Sequence, residues 1–201
     1  TYTAEQIVIS TGAKQSIMNV MLAMIGPGDE VVIPAPFWVT YAEQVRIAGG
    51  TPVIVRSTLE EDYKAPIERI AAAITPRTRL LMFSSPCNPS GSVLTLAEME
   101  ALAEVVARHP ELYVISDEIY EHIVFDGTHR SFAALPGMME RTITVNGLSK
   151  AFALTGWRIG FLGAPLWIAQ AVTKVQGQFT SGTNSITQRV TKACMEADPA
   201  L

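Results

Sequence analysis

The stretch from Asn146 to Gly160, NGLSKAFALTGWRIG, sets a lysine, a serine and an arginine within a few residues of one another. Lys150 follows the β-branched run Thr142-Ile143-Thr144-Val145, which reads as a buried strand stopping at Asn146-Gly147. The amine is thus expected where a strand stops and a loop begins, the edge at which open α/β sheets bind ligands. Partial desolvation and a nearby cation leave part of such an amine neutral, able to attack an aldehyde as a Schiff-base lysine. Ser149 and Arg158 beside it suit a phosphate clamp, the arginine through a bidentate contact that lysine could not make. Taken alone, the Ser-Lys pair reads as a solvated loop lysine, and the arginine as half of a surface ion pair.

Other segments carry matching chemistry. Gln6 to Ser10 is a short apolar strand that runs into Thr11-Gly12-Ala13-Lys14, after which Ile17, Val20, Met21, Met24 and Ile25 recur at helical spacing. A strand, a glycine and a helix start offer unpaired N–H groups to an anion, although most such turns are plain connectors. Trp38, after Pro36-Phe37, could present its face to a planar aromatic ring or simply pack in the core. Asn88 lies between Pro86 and Pro89, which fix its backbone and aim its amide. Asp117 closes the strand Tyr113 to Ser116, and a carboxylate there is costly to bury unless it meets a cation. A pyridinium nitrogen would be such a partner, and Tyr120 could donate to the phenolic oxygen of the same ring. Asp117, Glu118, Glu121 and His122 also cluster, and Glu118 and His122 would share a face if this segment were helix; His122 otherwise reads as a partly exposed polar residue. No second ligand pair has metal-site spacing and His109 and His129 stand isolated, so no metal is expected.

The elements that must position these residues alternate between strand and helix patterns. Strands are expected at Glu30–Ala35, Thr51–Val55 and Thr78–Ser84, with helices over Tyr41–Ala48 and around Ile67, Ile70 and Ile74. Residues 56 to 66 are polar and turn-rich. Thr95 and Glu98 make a capping box for a helix with Met99, Leu102, Val105 and Val106 on its apolar face, ending near His109-Pro110. Residues 126 to 140 read as loop. Trp157 to Gly163 reads as a further strand, followed by a helix over Pro165–Phe179, with Ile168, Ala171, Val172 and Val175 inward, and another over Ser185–Glu196. Arg158 falls at the start of its strand, whereas the other candidates lie past the ends of theirs. To reach the same phosphate, that strand must run antiparallel to the rest.

SKAFALTGWRIG and the segments before it resemble, in order and over nearly the whole chain, the fold type I pyridoxal-phosphate aminotransferases of the aspartate aminotransferase (class I/II) family. The resemblance implies a three-layer α-β-α fold, class α/β, with a mostly parallel sheet of about seven strands and one antiparallel strand. It implies that residues 1–201 are the cofactor-binding large domain, without the N-terminal segment and the C-terminal small domain. Lys150 then holds the cofactor aldehyde and shuttles the substrate α-proton. Asp117 pairs with the ring nitrogen, and Tyr120 and Asn88 with the phenolic oxygen. Trp38 stacks on the ring, while Gly12, Ala13, Lys14, Ser149 and Arg158 hold the phosphate. The family reads Asn-Pro-Thr-Gly where this chain has Ser90, and usually Pro-Tyr where it has Pro36-Phe37. The expected reaction is amino transfer between an L-amino acid, aspartate or similar, and a 2-oxo acid. The full-length protein is expected to be a homodimer, with the arginine that grips the substrate carboxylate in the C-terminal part. Carbon–sulfur lyases, cyclopropane-forming synthases, the effector domain of a transcription regulator and a cofactor-free structural fragment are the alternatives.

Composition narrows the classes. With 201 residues, 48% of them hydrophobic and 17% charged, the chain suits one domain with a substantial core. A net charge of −4 and no basic stripe argue against nucleic acid or an anionic membrane as partner. Its apolar runs are strand-sized, shorter than a membrane span. Cys87 and Cys194 form no metal or redox motif, which fits reduced thiols and a cytoplasmic location.

Overall fold

The computed structural model describes residues 1–197. In chain order its elements are β1 (Ile7–Ser10), α1 (Ala13–Met24), β2 (Glu30–Pro34), α2 (Thr40–Ile47), β3 (Thr51–Val55), α3 (Ile67–Ala73) and β4 (Thr78–Ser84). Then come α4 (Leu96–Ala107), β5 (Tyr113–Asp117), β6 (Thr142–Gly147), α5 (Leu148–Ala151), β7 (Gly160–Gly163), α6 (Leu166–Gly177) and α7 (Ser185–Glu196). The strands form one sheet in the order β1-β7-β6-β5-β4-β2-β3. Strands β2 to β6 pair in parallel, and β7 runs antiparallel to both its neighbours. That is the α/β fold and the antiparallel strand expected.

Alternate residues of the central strands feed two cores. Leu80 and Met82 of β4 face one cluster with Ile17, Val20, Tyr41, Val45, Ile168 and Val172 from α1, α2 and α6. Leu81 and Phe83 face a second cluster with Ile70, Met99, Leu102 and Val106 from α3 and α4. A strand covered on both faces must be apolar almost throughout, which is why Thr78–Ser84 is one hydrophobic run. Edge strand β3 accommodates Pro52, where a missing N–H costs no ladder bond. The capping box forms as expected: Glu98 N donates to Thr95 Oγ1 at 3.3 Å, and Thr95 N to Glu98 Oε2 at 2.7 Å. Among the described residues no helix is long and apolar enough to cross a membrane.

Three local expectations need correction. Pairing of the last strand starts at Gly160, not Trp157: Thr155–Trp157 form a short 3-10 turn and Arg158 is left-handed, φ +51°. Both neighbouring strands end there, Ser10 and Gly147 each pairing with Gly160, so the preceding residues have no ladder to join. Ser149 and Lys150 belong to the short helix α5 rather than to a loop. On α6 the buried face is Ile168, Ala169, Val172 and Gln176, rotated from the expected stripe. The rotation buries a glutamine as a junction between α6, β1 and α1. Gln176 Oε1 accepts from Ser10 Oγ at 2.6 Å and from Asn19 Nδ2 at 3.0 Å, and its Nε2 donates to the Ile9 carbonyl at 2.8 Å.

Candidate active site

The ends of β1, β5 and β6, the start of β7 and the loop after β4 meet at one edge of the sheet. At β1 the chain leaves Ser10, turns at Gly12 (φ +92°) and enters α1. The Thr11 N–H donates to Gln15 Oε1 at 2.6 Å, which fixes the turn. The N–H groups of Ala13 and Lys14 have no acceptor among the described residues, leaving two donors at the positive end of a twelve-residue helix. The Arg158 guanidinium lies against this turn: a Cβ on Gly12 would stand 2.3 Å from Arg158 Nη2. Only glycine lets the guanidinium come so near the backbone at that φ. Arg158 Nη1 donates to the Thr155 carbonyl at 2.8 Å, and Thr155 Oγ1 donates to the Ser149 carbonyl at 2.9 Å, tying α5 to the arginine.

Asp117, the last residue of β5, is buried with Ser84 and Val145 opposite it on the flanking strands. Tyr41 Oη donates to its Oδ2 at 2.6 Å and the Ile119 N–H to its Oδ1 at 3.2 Å. Burial pushes the carboxyl up to about 6. The Tyr41 and Ile119 hydrogen bonds pull it back, Glu118 adds to the rise and Lys150 opposes it. The Tyr41 phenol is itself driven well above its ordinary value, first by burial and then by the charge of Asp117.

Lys150 and Tyr120 adjoin across the cleft, with Lys150 Nζ 5.8 Å from the centre of the Tyr120 ring. Lys150 is exposed, so the described residues do not supply the desolvation expected for it. Trp38 meets Tyr41 edge to face at 5.7 Å, and Lys14 Nζ stands 4.7 Å from the Trp38 ring centre. The Asn88 N–H donates to Ser84 Oγ at 3.4 Å, which holds the Pro86–Pro89 turn against the end of β4. Ala13, Lys14, Trp38, Asn88, Asp117, Tyr120, Ser149, Lys150 and Arg158 line a single cleft, and Gly12 lies under the arginine. Tyr41, Ile119 and Thr155 line it too and escaped sequence reasoning. For Tyr41 the available signal is its place one helical turn after Trp38; for Thr155 it is a hydroxyl between the lysine and the arginine.

In the acidic cluster beside Asp117 the helix that a Glu118–His122 metal pair would need does not form, His122 is exposed, and His129 differs from expectation. Residues after Asp117 form turns rather than a helix, so Glu118 and His122 share no face. Glu118 points inward, its Oε1 accepting from Ser116 Oγ at 2.8 Å, Ser131 Oγ at 3.0 Å and the Phe132 N–H at 3.1 Å. His129, expected to be isolated, places Nε2 3.2 Å from Glu118 Oε2. His122 instead packs edge-on to Phe152.

The donor set fits the cofactor implied by the motifs. A phosphate needs clustered N–H donors and a guanidinium, which the Gly12 turn and Arg158 provide. A ring nitrogen that keeps a proton needs a carboxylate, and Asp117 is the buried one that opens to the cleft. An aldehyde needs an amine, and Lys150 is beside it.

The family profile described as aminotransferase class I and II matches residues 1–201. The chain belongs to the class I and II aminotransferase family. Among relatives within that family, it is 52% identical to the bifunctional aspartate aminotransferase and glutamate/aspartate-prephenate aminotransferase of Petunia hybrida, over 96% of this chain and 41% of that protein. Identity to the aspartate/prephenate aminotransferase of Cereibacter sphaeroides is 47%, over 93% of the chain and 47% of the relative. The crystal structure of the aspartate aminotransferase from Rhizobium meliloti superposes with a TM-score of 0.96 at 42% identity, covering 99% of this chain and 50% of that one. The chain therefore spans about half the length of the aminotransferases it matches.

Proposed function

We propose that residues 1–201 are the pyridoxal-phosphate-binding large domain of an aminotransferase. It moves an amino group between an L-amino acid, aspartate or a close analogue, and a 2-oxo acid, and works as a homodimer. The observation that carries the reading is one cleft in which a buried carboxylate, an amine and a guanidinium-covered helix start open together. The names of the relatives support the substrate class. Pyridoxal phosphate, when bound, supplies an aldehyde and an electron-poor ring able to accept the electron pair left at an amino acid's α-carbon. The Ala13 and Lys14 N–H groups, Ser149 and Arg158 bind the phosphate. Asp117 holds a proton at the ring nitrogen, Trp38 packs on the ring face, and Asn88 and Tyr120 orient the phenolic oxygen. Lys150 Nζ would take the proton from the substrate α-carbon and hand it on to the bound cofactor.

The test is chemical. Full-length protein incubated with pyridoxal phosphate, reduced with borohydride and digested should carry one pyridoxyl mass increment, on the peptide containing Lys150. Lys150→Ala should lose the label and α-proton exchange without losing the fold. A label on Lys14 instead, or none, refutes the assignment.

A further inference from the structure

Tyr41 is used by nothing in the reaction just described, yet it makes a short buried contact with Asp117. Its ring is enclosed, 1% exposed, between Phe37, stacked at 6.5 Å, and Trp38, edge-on at 5.7 Å. A phenylalanine would fill the same space, so packing gives no reason for the hydroxyl. That hydroxyl donates to Asp117 Oδ2 at 2.6 Å, while the Ile119 N–H takes Oδ1 at 3.2 Å. A carboxylate has about four lone-pair sites. With one site on each oxygen taken by these two donors, the remaining ones are left for a group in the cleft that Asp117 lines. Trp38 lies just before α2 and Tyr41 in its first turn, and the Tyr41 N–H donates to the Trp38 carbonyl at 2.9 Å. One turn therefore sets both the flank of the ring and the orientation of the group that meets its nitrogen.

We infer that Tyr41 is a positioning residue, whose hydroxyl orients the Asp117 carboxylate and keeps it ionised for the ring nitrogen of the cofactor. The inference rests on the proposed function. Charged and titratable groups face this pair from every side: Glu118 from the end of β5, itself bound to His129, Lys150 from α5, and Cys87 toward the phenol from the turn after β4. None of these donates a hydrogen bond to Asp117; the Ser84 hydroxyl, opposite it on β4, lies next to the Tyr41 phenol.

The experiment uses full-length apoprotein and two ligands, pyridoxal phosphate and its deaza analogue, in which C–H replaces the ring nitrogen. The ratio of their affinities cancels the phosphate and ring-face contacts and reports the nitrogen partner alone. Tyr41→Phe should lower the preference for pyridoxal phosphate on the order of tenfold at neutral pH, as expected for loss of a hydrogen bond to a charged group. The acid limb of the ratio should move to higher pH, because an undonated carboxylate takes up its proton sooner. A monofluorinated tyrosine at position 41 keeps the shape, donates more strongly and should move the limb to lower pH. Equal weakening of both ligands by Tyr41→Phe, or no change in the ratio, overturns the inference. Should Tyr41→Phe not fold, an unmoved limb in the fluorinated protein overturns it. If wild-type protein does not bind pyridoxal phosphate, or does not favour it over the analogue, the proposed function fails and this inference with it.

Discussion

Gly160→Ala probes the anion turn through sterics alone. Gly160 is a strand residue paired with Ser10 on one side and Gly147 on the other, so an alanine there meets no conformational penalty. Its Cβ would stand 2.2 Å from Ala13 N, 2.5 Å from Gly12 C and 2.8 Å from Ala13 Cα, all backbone atoms that cannot swing aside. Ordinary contact requires the turn to retreat from β7 by about 1 Å, and overpacking of this kind costs about 1–3 kcal/mol of stability. The functional loss should be larger, since Ala13 N–H is one of the two free donors and a displacement of about 1 Å at a binding group can cost roughly a hundredfold. Equilibrium binding of pyridoxal phosphate and of unphosphorylated pyridoxal separates the two effects. Affinity for the first should fall by about two orders of magnitude, and that for the second should hardly change. Gly156→Ala, whose Cβ would touch nothing within 4 Å, serves as the neutral control. Were Gly160→Ala to bind both ligands as wild type does, or lose both equally, the assignment of this turn to a phosphate would be wrong.

Asp117→Asn should stabilise the apoprotein while crippling it. The carboxyl ionises at about 6 in the fold against an ordinary 3.8, so between those values the folded state holds a proton that the unfolded state has released. Stability therefore falls as pH rises through that window, by about 3 kcal/mol in all. Urea unfolding of the variant should lack that slope and exceed wild type above the window, and a slope unchanged from wild type would contradict the burial argument. Gln176→Leu strands the Ser10 hydroxyl, the Asn19 amide and the Ile9 carbonyl. At about 1 kcal/mol each it should cost about 3 kcal/mol in the same assay, and a loss below about 1 would show that the junction is slack.

Strands were legible wherever both faces are covered, because burial on two sides leaves an unbroken apolar run such as Thr78–Ser84 with its end in plain view. Asp117 and Lys150 were singled out for the same reason: each follows the end of such a run. Arg158 was singled out by its motif but misplaced in conformation, since the start of β7 is set by where β1 and β6 stop, and pairing partners are not written beside a residue. Tyr41 and Gln176 were read through helical periodicity, which tells the side that faces the core and nothing about a hydroxyl meeting a carboxylate 76 residues away. His129 was missed because the turns after Asp117 fold back on Glu118, a contact across 11 residues that no local pattern reports.

Strand β1 lies at the end of the sheet and pairs only with β7, the last strand in the chain. During translation, at roughly 5–20 residues per second, Ser10 leaves the ribosome roughly 8–30 seconds before Gly160 is available to receive it. Until then the Gly12 turn, the proposed phosphate seat, has no ladder to hold it, while the four-strand parallel block of β2 to β5 can already assemble. On the proposed function, a nascent chain arrested just short of Gly160 would carry Lys150 without the Gly12 turn held beside it, and cofactor capture would wait for the final strand.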